Sequence, residues 1–206
     1  MLYMIMLRKI TMSRLQTYLN EKDVILPVDH VNDIKKSIQD KCKPYLSLTK
    51  DMMFYRAMNT PNDNRQYAGI KLVRQDRKSR GMDKKGANNV NSWLEEHGHM
   101  RRDQSVFAVS DKTKLGLYGS SKGRYVIYPV GKFDYTYIKV GDMNLAGRSE
   151  YGDAITALIR NIKMDLHETQ LKEMFVTNKN IKEAYNKKYE IWFRCKLYYY
   201  LREDTI

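Results

Sequence analysis

The run from Tyr189 to Arg202, YEIWFRCKLYYYLR, restricts this chain more than any other stretch. Tyr189, Ile191, Phe193, Cys195, Leu197, Tyr199 and Leu201 would share one face of an extended strand, and Glu190, Trp192, Arg194, Lys196, Tyr198, Tyr200 and Arg202 the other. Aromatic and β-branched content favours a strand, and neither Pro nor Gly interrupts it. One long strand is expected, and it needs a sheet to sit in. Glu190 stands at its start, behind the basic pair Lys187 and Lys188. On the strand alone it reads as a surface carboxylate beside Arg194 and Lys196.

Shorter runs supply the rest of the sheet. Met52 to Met58, Tyr67 to Val73, Ser105 to Ser110, Arg124 to Val130 and Tyr135 to Val140 read as strands, with Pro129 marking an edge or a strand end. Helices are expected over Arg14 to Glu21 behind Ser13, over Val31 to Cys42 with Pro44 ending them, and over Lys84 to His97, stopped by Gly98. Shorter ones are expected over Lys112 to Tyr118, closed by Gly119, and over Ile181 to Tyr185. A long amphipathic helix is expected to start between Ser149 and Asp153, with Ala154, Leu158, Ile162 and Leu166 on one face. NTPNDN is a turn cluster. From Lys71 to Lys85, seven Lys or Arg against two Asp make a basic loop. Helices gather early and strands late, which gives an α+β class: an N-terminal helical segment, residues 1–48, packed on a core domain, residues 49–206.

The chain has 206 residues, a formal net charge of +13 and a pI of about 9.6, so its field favours a polyanionic partner or an anionic ligand. Sixteen tyrosines offer core bulk and stacking surfaces. Cys42 and Cys195 lie far apart with no metal-type spacing, so a reducing compartment is expected rather than a disulfide framework. The opening MLYMIMLRKI is apolar but short, without a basic n-region or a small-residue cleavage site, and Met12 is a second candidate start. No run approaches a membrane span. These features lead to the expectation of a soluble cytoplasmic protein.

Several site chemistries lose support. There is no GxGxxG after a strand, no GxxxxGK[ST] and no GxSxG. His97 and His99 have metal-ligand chemistry, but no close ligand set accompanies them, and no metal is expected. Arg56 is more informative, because a charge inside an apolar strand is costly unless paired or used. It is either a salt-bridge partner or a guanidinium fork for a phosphate or a ribose-linked anion. In SVFAVSDKTKLGLYG a strand runs into a short helix closed by Tyr118 and Gly119. Ser110 or Asp111 is an ordinary helix cap there, or the segment is one wall of a ligand pocket.

Taken together, Arg56 in its FYRA context, the SVFAVS strand leading to Tyr118-Gly119, and Glu190 at the head of a late strand resemble the Arg-Ser-Glu class of ADP-ribosyltransferases, including the small transferases of phages and bacterial toxin systems. The resemblance covers Met52 to Arg202. It implies a split β-sandwich and mono-ADP-ribosyl transfer from NAD, with NAD as substrate. It implies that Arg56 holds the pyrophosphate or the nicotinamide-side ribose, that Ser105 or Ser110 fills the family's serine position, and that Tyr118 lines the nicotinamide. Glu190 would be the catalytic carboxylate. It would accept a hydrogen bond from the ribose 2′-hydroxyl and stabilise the positive charge that develops at C1′.

One departure bears on the acceptor. Arginine-modifying members carry Glu or Gln two residues before the catalytic Glu, and here that position is Lys188. A lysine suits an anionic target. With Arg74, Arg77, Lys78, Arg80, Lys84, Lys85, Arg101 and Arg102, it makes nucleic acid or a nucleic-acid-associated protein the expected acceptor, with Lys188, Arg101 and Arg102 contacting it. Arg77 and Arg80 are equally suited to the NAD phosphates. An antitoxin or host-protein partner is a further expectation. The alternative from another class is a non-catalytic basic protein that binds nucleic acid or acts as an inhibitor.

Overall fold

A computed structural model describes residues 24–26, 31–58, 67–75, 82–117, 123–140 and 150–206. Among the described residues, nine strands form one antiparallel sheet: β1 (Val24–Leu26), β2 (Tyr55–Ala57), β3 (Ala68–Leu72), β4 (Val106–Val109), β5 (Arg124–Pro129), β6 (Asp134–Ile138), β7 (Phe175–Thr177), β8 (Glu190–Arg194) and β9 (Leu197–Arg202). Their order across the sheet is β1-β3-β9-β5-β2-β4-β8-β6-β7. Six α-helices occur among the described residues: α1 (Val31–Lys41), α2 (Lys43–Thr49), α3 (Lys84–Glu96), α4 (Gly152–Arg160), α5 (Glu168–Met174) and α6 (Ile181–Asn186). The class is α+β.

The terminal run is two strands, not one. It breaks at Cys195 and Lys196, after which the chain crosses from β8, between β4 and β6, to β9, between β3 and β5. Fourteen extended residues would reach about 45 Å, whereas the strands here hold three to six residues. The crossover is pinned where Val73 N–H donates to Lys196 O and Val130 N–H to Leu197 O. Alternation misled because both faces are covered: Glu190 to Phe193 and Leu197 to Leu201 are all buried.

Other expectations shift in smaller ways. The helix from Gly152 stops at Arg160, because Asn161 takes the left-handed conformation (φ 54, ψ 50). Ile162 and Leu166, expected on its apolar face, are instead exposed. The helix from Val31 stops at Lys41, just before Pro44, but a new helix follows at once: Pro44 sits in the first turn of α2, where its missing N–H costs nothing. Lys112–Leu117 is a 3-10 helix. β1 and β7 are strands that the sequence pattern did not reveal. Pro129 lies at the end of an interior strand, opposite Tyr198. Residues 24–49 therefore supply a strand as well as helices. The expected helix Arg14–Glu21, the turn cluster 59–64 and Tyr118 with Gly119 lie outside the described residues.

The core has two layers, one on each face of β8. On one face Phe193 meets Tyr45 of α2 and Phe54, each at 5.6 Å between ring centroids, and Phe54 meets Tyr185 of α6. On the other face Trp192 meets Phe107 and Phe175, and Phe175 carries Trp93 of α3. Helix α3 starts where the Asp83 carboxylate accepts from Gly86 N–H at 2.6 Å. It crosses α4 closely at Gly86, and Asn89 Nδ2 donates to Ile159 O. Among the described residues, no helix is long and apolar enough to cross a membrane, and no group of three or more His, Cys, Asp or Glu is placed to hold a metal ion.

Candidate active site

The strand that carries Arg56, the strand that Ser105 and Ser110 flank and the strand that Glu190 begins are neighbours: β2, β4 and β8 lie side by side. β4 and β8 form a full ladder, from Val106 opposite Phe193 to Val109 opposite Glu190. β2 and β4 meet in register only at Tyr55 and Val109. This thin junction divides the sheet into a five-stranded and a four-stranded part. A small cavity opens there, lined by Tyr55, Arg56, Ala57, Phe107, Val109 and Leu115 among others.

Arg56 is half-buried in that cavity, and its Nη1 donates to Phe107 O across the junction at 3.0 Å. Val109 lies directly opposite both Tyr55 and Glu190, so those three side chains share one face of the sheet, and Arg56, next to Tyr55, projects toward the other. Glu190 does not line the cavity at Arg56. The structure thus places the Arg and Glu strands within one strand of each other but does not open both side chains into one cleft.

Glu190 is fully buried, at 0% exposure. Its Oε1 accepts from Arg102 Nη2 at 3.1 Å. The Arg102 guanidinium lies 4.8 Å from the Phe107 ring centroid and 5.7 Å from that of Trp192, within cation–π range of both. Its backbone N–H donates to the buried Asn91 Oδ1 at 2.8 Å. Arg102, expected at the surface to meet an acceptor, is instead the internal counter-ion of Glu190. Its neighbour Arg101 points outward into ion pairs with Glu95 and Asp103, whose hydrogen bonds hold its guanidinium firmly protonated.

Neither serine hydroxyl donates to Glu190. Ser105, buried, donates to Arg101 O at 2.7 Å and braces the turn that carries Arg102. Ser110 donates to Tyr185 O at 2.7 Å. That second bond begins a clamp between the end of β4 and the approach to β8. Lys188 Nζ pairs with Asp111 at 3.1 Å, and Lys114 Nζ donates to Lys188 O at 3.1 Å. The Thr113 hydroxyl and N–H, then Lys188, hold the Asp111 carboxyl down at about 2. Lys188 itself is left-handed (φ 58), a conformation that a lysine takes only when its surroundings impose it. The clamp thus sets the backbone that delivers Glu190 to the sheet.

Of the remaining expected residues, Lys188 is exposed and tied to Asp111, and Arg74, Lys84 and Lys85 are exposed. Tyr118, Arg77, Lys78 and Arg80 lie outside the described residues. Sequence reasoning missed Asn91, Trp192 and Phe107 as the frame around the Arg102–Glu190 pair. Trp192 was the available signal, because it stands two residues from Glu190 and so on the same strand face. Comparison with family models, curated proteins and solved structures finds no match to this chain.

Proposed function

We propose that the chain is an NAD-dependent mono-ADP-ribosyltransferase with a split β-sandwich, acting on a macromolecular acceptor: nucleic acid or a nucleic-acid-associated protein. The observation that carries this reading is the adjacency of β2, β4 and β8. Arg56, the SVFAVS segment and Glu190 are far apart in the chain, yet Arg56 and Glu190 lie on the two strands that border β4, the strand between Ser105 and Ser110. The thin junction at Tyr55 and Val109 supports the split of the sheet. A net charge of +13 supports an anionic target.

In this reading Arg56 grips the NAD pyrophosphate or ribose from the β2 side. The C1′–N bond to nicotinamide breaks, and its electron pair leaves with the ring. The positive charge left at C1′ is stabilised by the Glu190 carboxylate, which also accepts from the 2′-hydroxyl. The acceptor's nucleophilic atom bonds to C1′ and gives up its proton. Incubation with labelled NAD and a whole-cell lysate, treated separately with nuclease and protease, tests the reading. Label that survives protease and is released by nuclease marks nucleic acid, and the reverse marks protein. No nicotinamide release with any acceptor would count against transfer altogether.

A second reading, a transferase fold that binds without turnover, is favoured by the burial of Glu190 against Arg102. Calorimetric binding of NAD with no nicotinamide release would select it.

A further inference from the structure

We propose that the cleft between the end of α3 and the segment after α4 is a docking surface for a protein partner, which enters it with lysine or arginine side chains set among aliphatic ones. The cleft has a volume of about 460 Å³. Side chains between Asn89 and His97 line one side, and side chains between Leu158 and Glu168 the other. The buried Trp93 and Leu158 and the half-buried Met164 give it an apolar base. None of Arg56, Arg102 and Glu190 lines it, so binding here is independent of NAD chemistry.

Its charge runs against that of the chain. The net charge is +13, yet Glu96, Asp165 and Glu168 all line the cleft. Among the described lining side chains, only His97 can carry a positive charge. Its Nδ1 lies 2.8 Å from Trp93 O, which can only accept, and its Nε2 lies 3.8 Å from Glu168. Glu168 is also paired with Lys172. Glu96 and Asp165 are exposed, and among the described residues neither carboxylate has an ion-pair partner. The neighbouring cations Arg160 and Lys163 do not line the cleft. Two carboxylates on facing walls are therefore open to a cation from outside.

The wall after α4 adds an apolar component. The left-handed turn at Asn161 ends that helix. Beyond it Ile162 is 50% and Leu166 75% exposed, two of the four large apolar side chains that stand exposed among the described residues. They bracket Met164 and Asp165, which line the cleft. Exposed apolar side chains clustered beside a cleft mark a contact surface more than scattered ones do. The two features together select the occupant. A nucleic acid is repelled by Glu96 and Asp165. A polyamine satisfies the carboxylates but leaves Ile162 and Leu166 in water. A protein segment that carries both cations and aliphatic side chains matches both.

The probe is a short fluorescein-labelled peptide of alternating lysine and leucine, titrated with the full chain and read by fluorescence anisotropy. The positive field of the chain opposes binding of this peptide elsewhere. Saturable binding to the wild type is expected. Glu96→Gln with Asp165→Asn weakens it about tenfold, and Ile162→Ser with Leu166→Ser by a similar factor. Peptides with glutamate for lysine, or serine for leucine, do not bind. Circular dichroism checks the fold, and the isosteric carboxylate variant keeps the test open if the serine variant is unfolded. No saturable binding by the wild type, or equal binding by the wild type and the folded variants, overturns the docking surface. Equal binding of the serine-for-leucine peptide reduces the cleft to a seat for any cation and overturns it as well. So does a duplex oligonucleotide bound through the same four residues, or a dimer of the wild type that the variants dissolve, which would make the cleft a contact between copies. Nicotinamide release from NAD is read separately and is unchanged by these variants, so its absence from all of them counts against the transferase reading and not against the cleft.

Discussion

Arg102 and Glu190 are 88 residues apart in the chain and 3.1 Å apart in space, and the pair is almost wholly shut away from water. The rings of Phe107 and Trp192 lie beside the Arg102 guanidinium. Such a pair is costly to break from one side. Arg102→Met removes an ion-pair partner of the buried carboxylate and costs about 3 kcal/mol of stability, and Glu190→Gln combined with Arg102→Met recovers part of it. Urea unfolding of the two single variants and the double variant measures this. Strictly additive losses would mean that the two side chains do not act as a pair.

The clamp that joins the end of β4 to the approach of β8 makes a kinetic prediction. Asp111→Ala frees Lys188 and loosens the left-handed residue two positions before Glu190. Nicotinamide release is expected to fall about tenfold with little change in KM for NAD, since only the placement of the carboxylate is disturbed. Lys188→Ala removes the other half of the ion pair and is expected to fall by a similar factor. A large loss for one and none for the other would argue that the free partner, not the clamp, matters.

His99 gives a stability prediction with a definite sign. It stands half-buried with Nδ1 2.8 Å from Thr177 Oγ1, and Trp93 stacks with both it and His97. Burial, and then the charge of nearby His97, lowers its pKa below the usual 6.5. The unfolded chain takes up a proton there before the folded one does. This contribution to stability is complete above 6.5 and is lost as the pH falls below it. The urea midpoint is expected to drop from about pH 7 to about pH 5, and to drop less in His99→Gln.

Gly86 tests the packing of the helical layer on the Trp192 face. A Cβ there would stand 2.8 Å from Ile159 Cγ2 on α4. Gly86→Ala should raise helix propensity by about 1 kcal/mol, yet a net loss of about 1 kcal/mol or more is expected because the helices must part. Thermal unfolding shows the sign, and stabilisation would mean that the crossing is loose.

Much of the sheet was legible in the sequence because its strands are short, apolar and bounded by turns. Ser105–Ser110, Tyr67–Val73 and Arg124–Val130 each contain an observed strand, and α3 spans Lys84–Glu96 with His97 and Gly98 beyond it. The terminal run was misread because a periodic pattern carries no mark of a crossover, and with both faces buried the alternation had no inside or outside to report. The helix over Ile162 and Leu166 was misread because the left-handed turn at Asn161 overrides an apolar period. At the site, the place of Glu190 at a strand start suggested only a surface carboxylate, whereas it is buried because β4 and β6 flank it in the sheet; the resemblance alone singled it out. Its partner could not be singled out, because Arg101 and Arg102 look alike in sequence and only the turn between α3 and β4 sends one outward and the other inward.

The central claim is that Glu190 is the catalytic carboxylate of NAD-dependent transfer. Its most direct test is the rate of nicotinamide release from NAD by the wild type and by Glu190→Gln, with the fold of each confirmed by circular dichroism. Measurable release is expected from the wild type, with a loss of at least about 100-fold in the folded variant. Equal release by the two proteins, or none by either across nucleic-acid and protein acceptors, would contradict it.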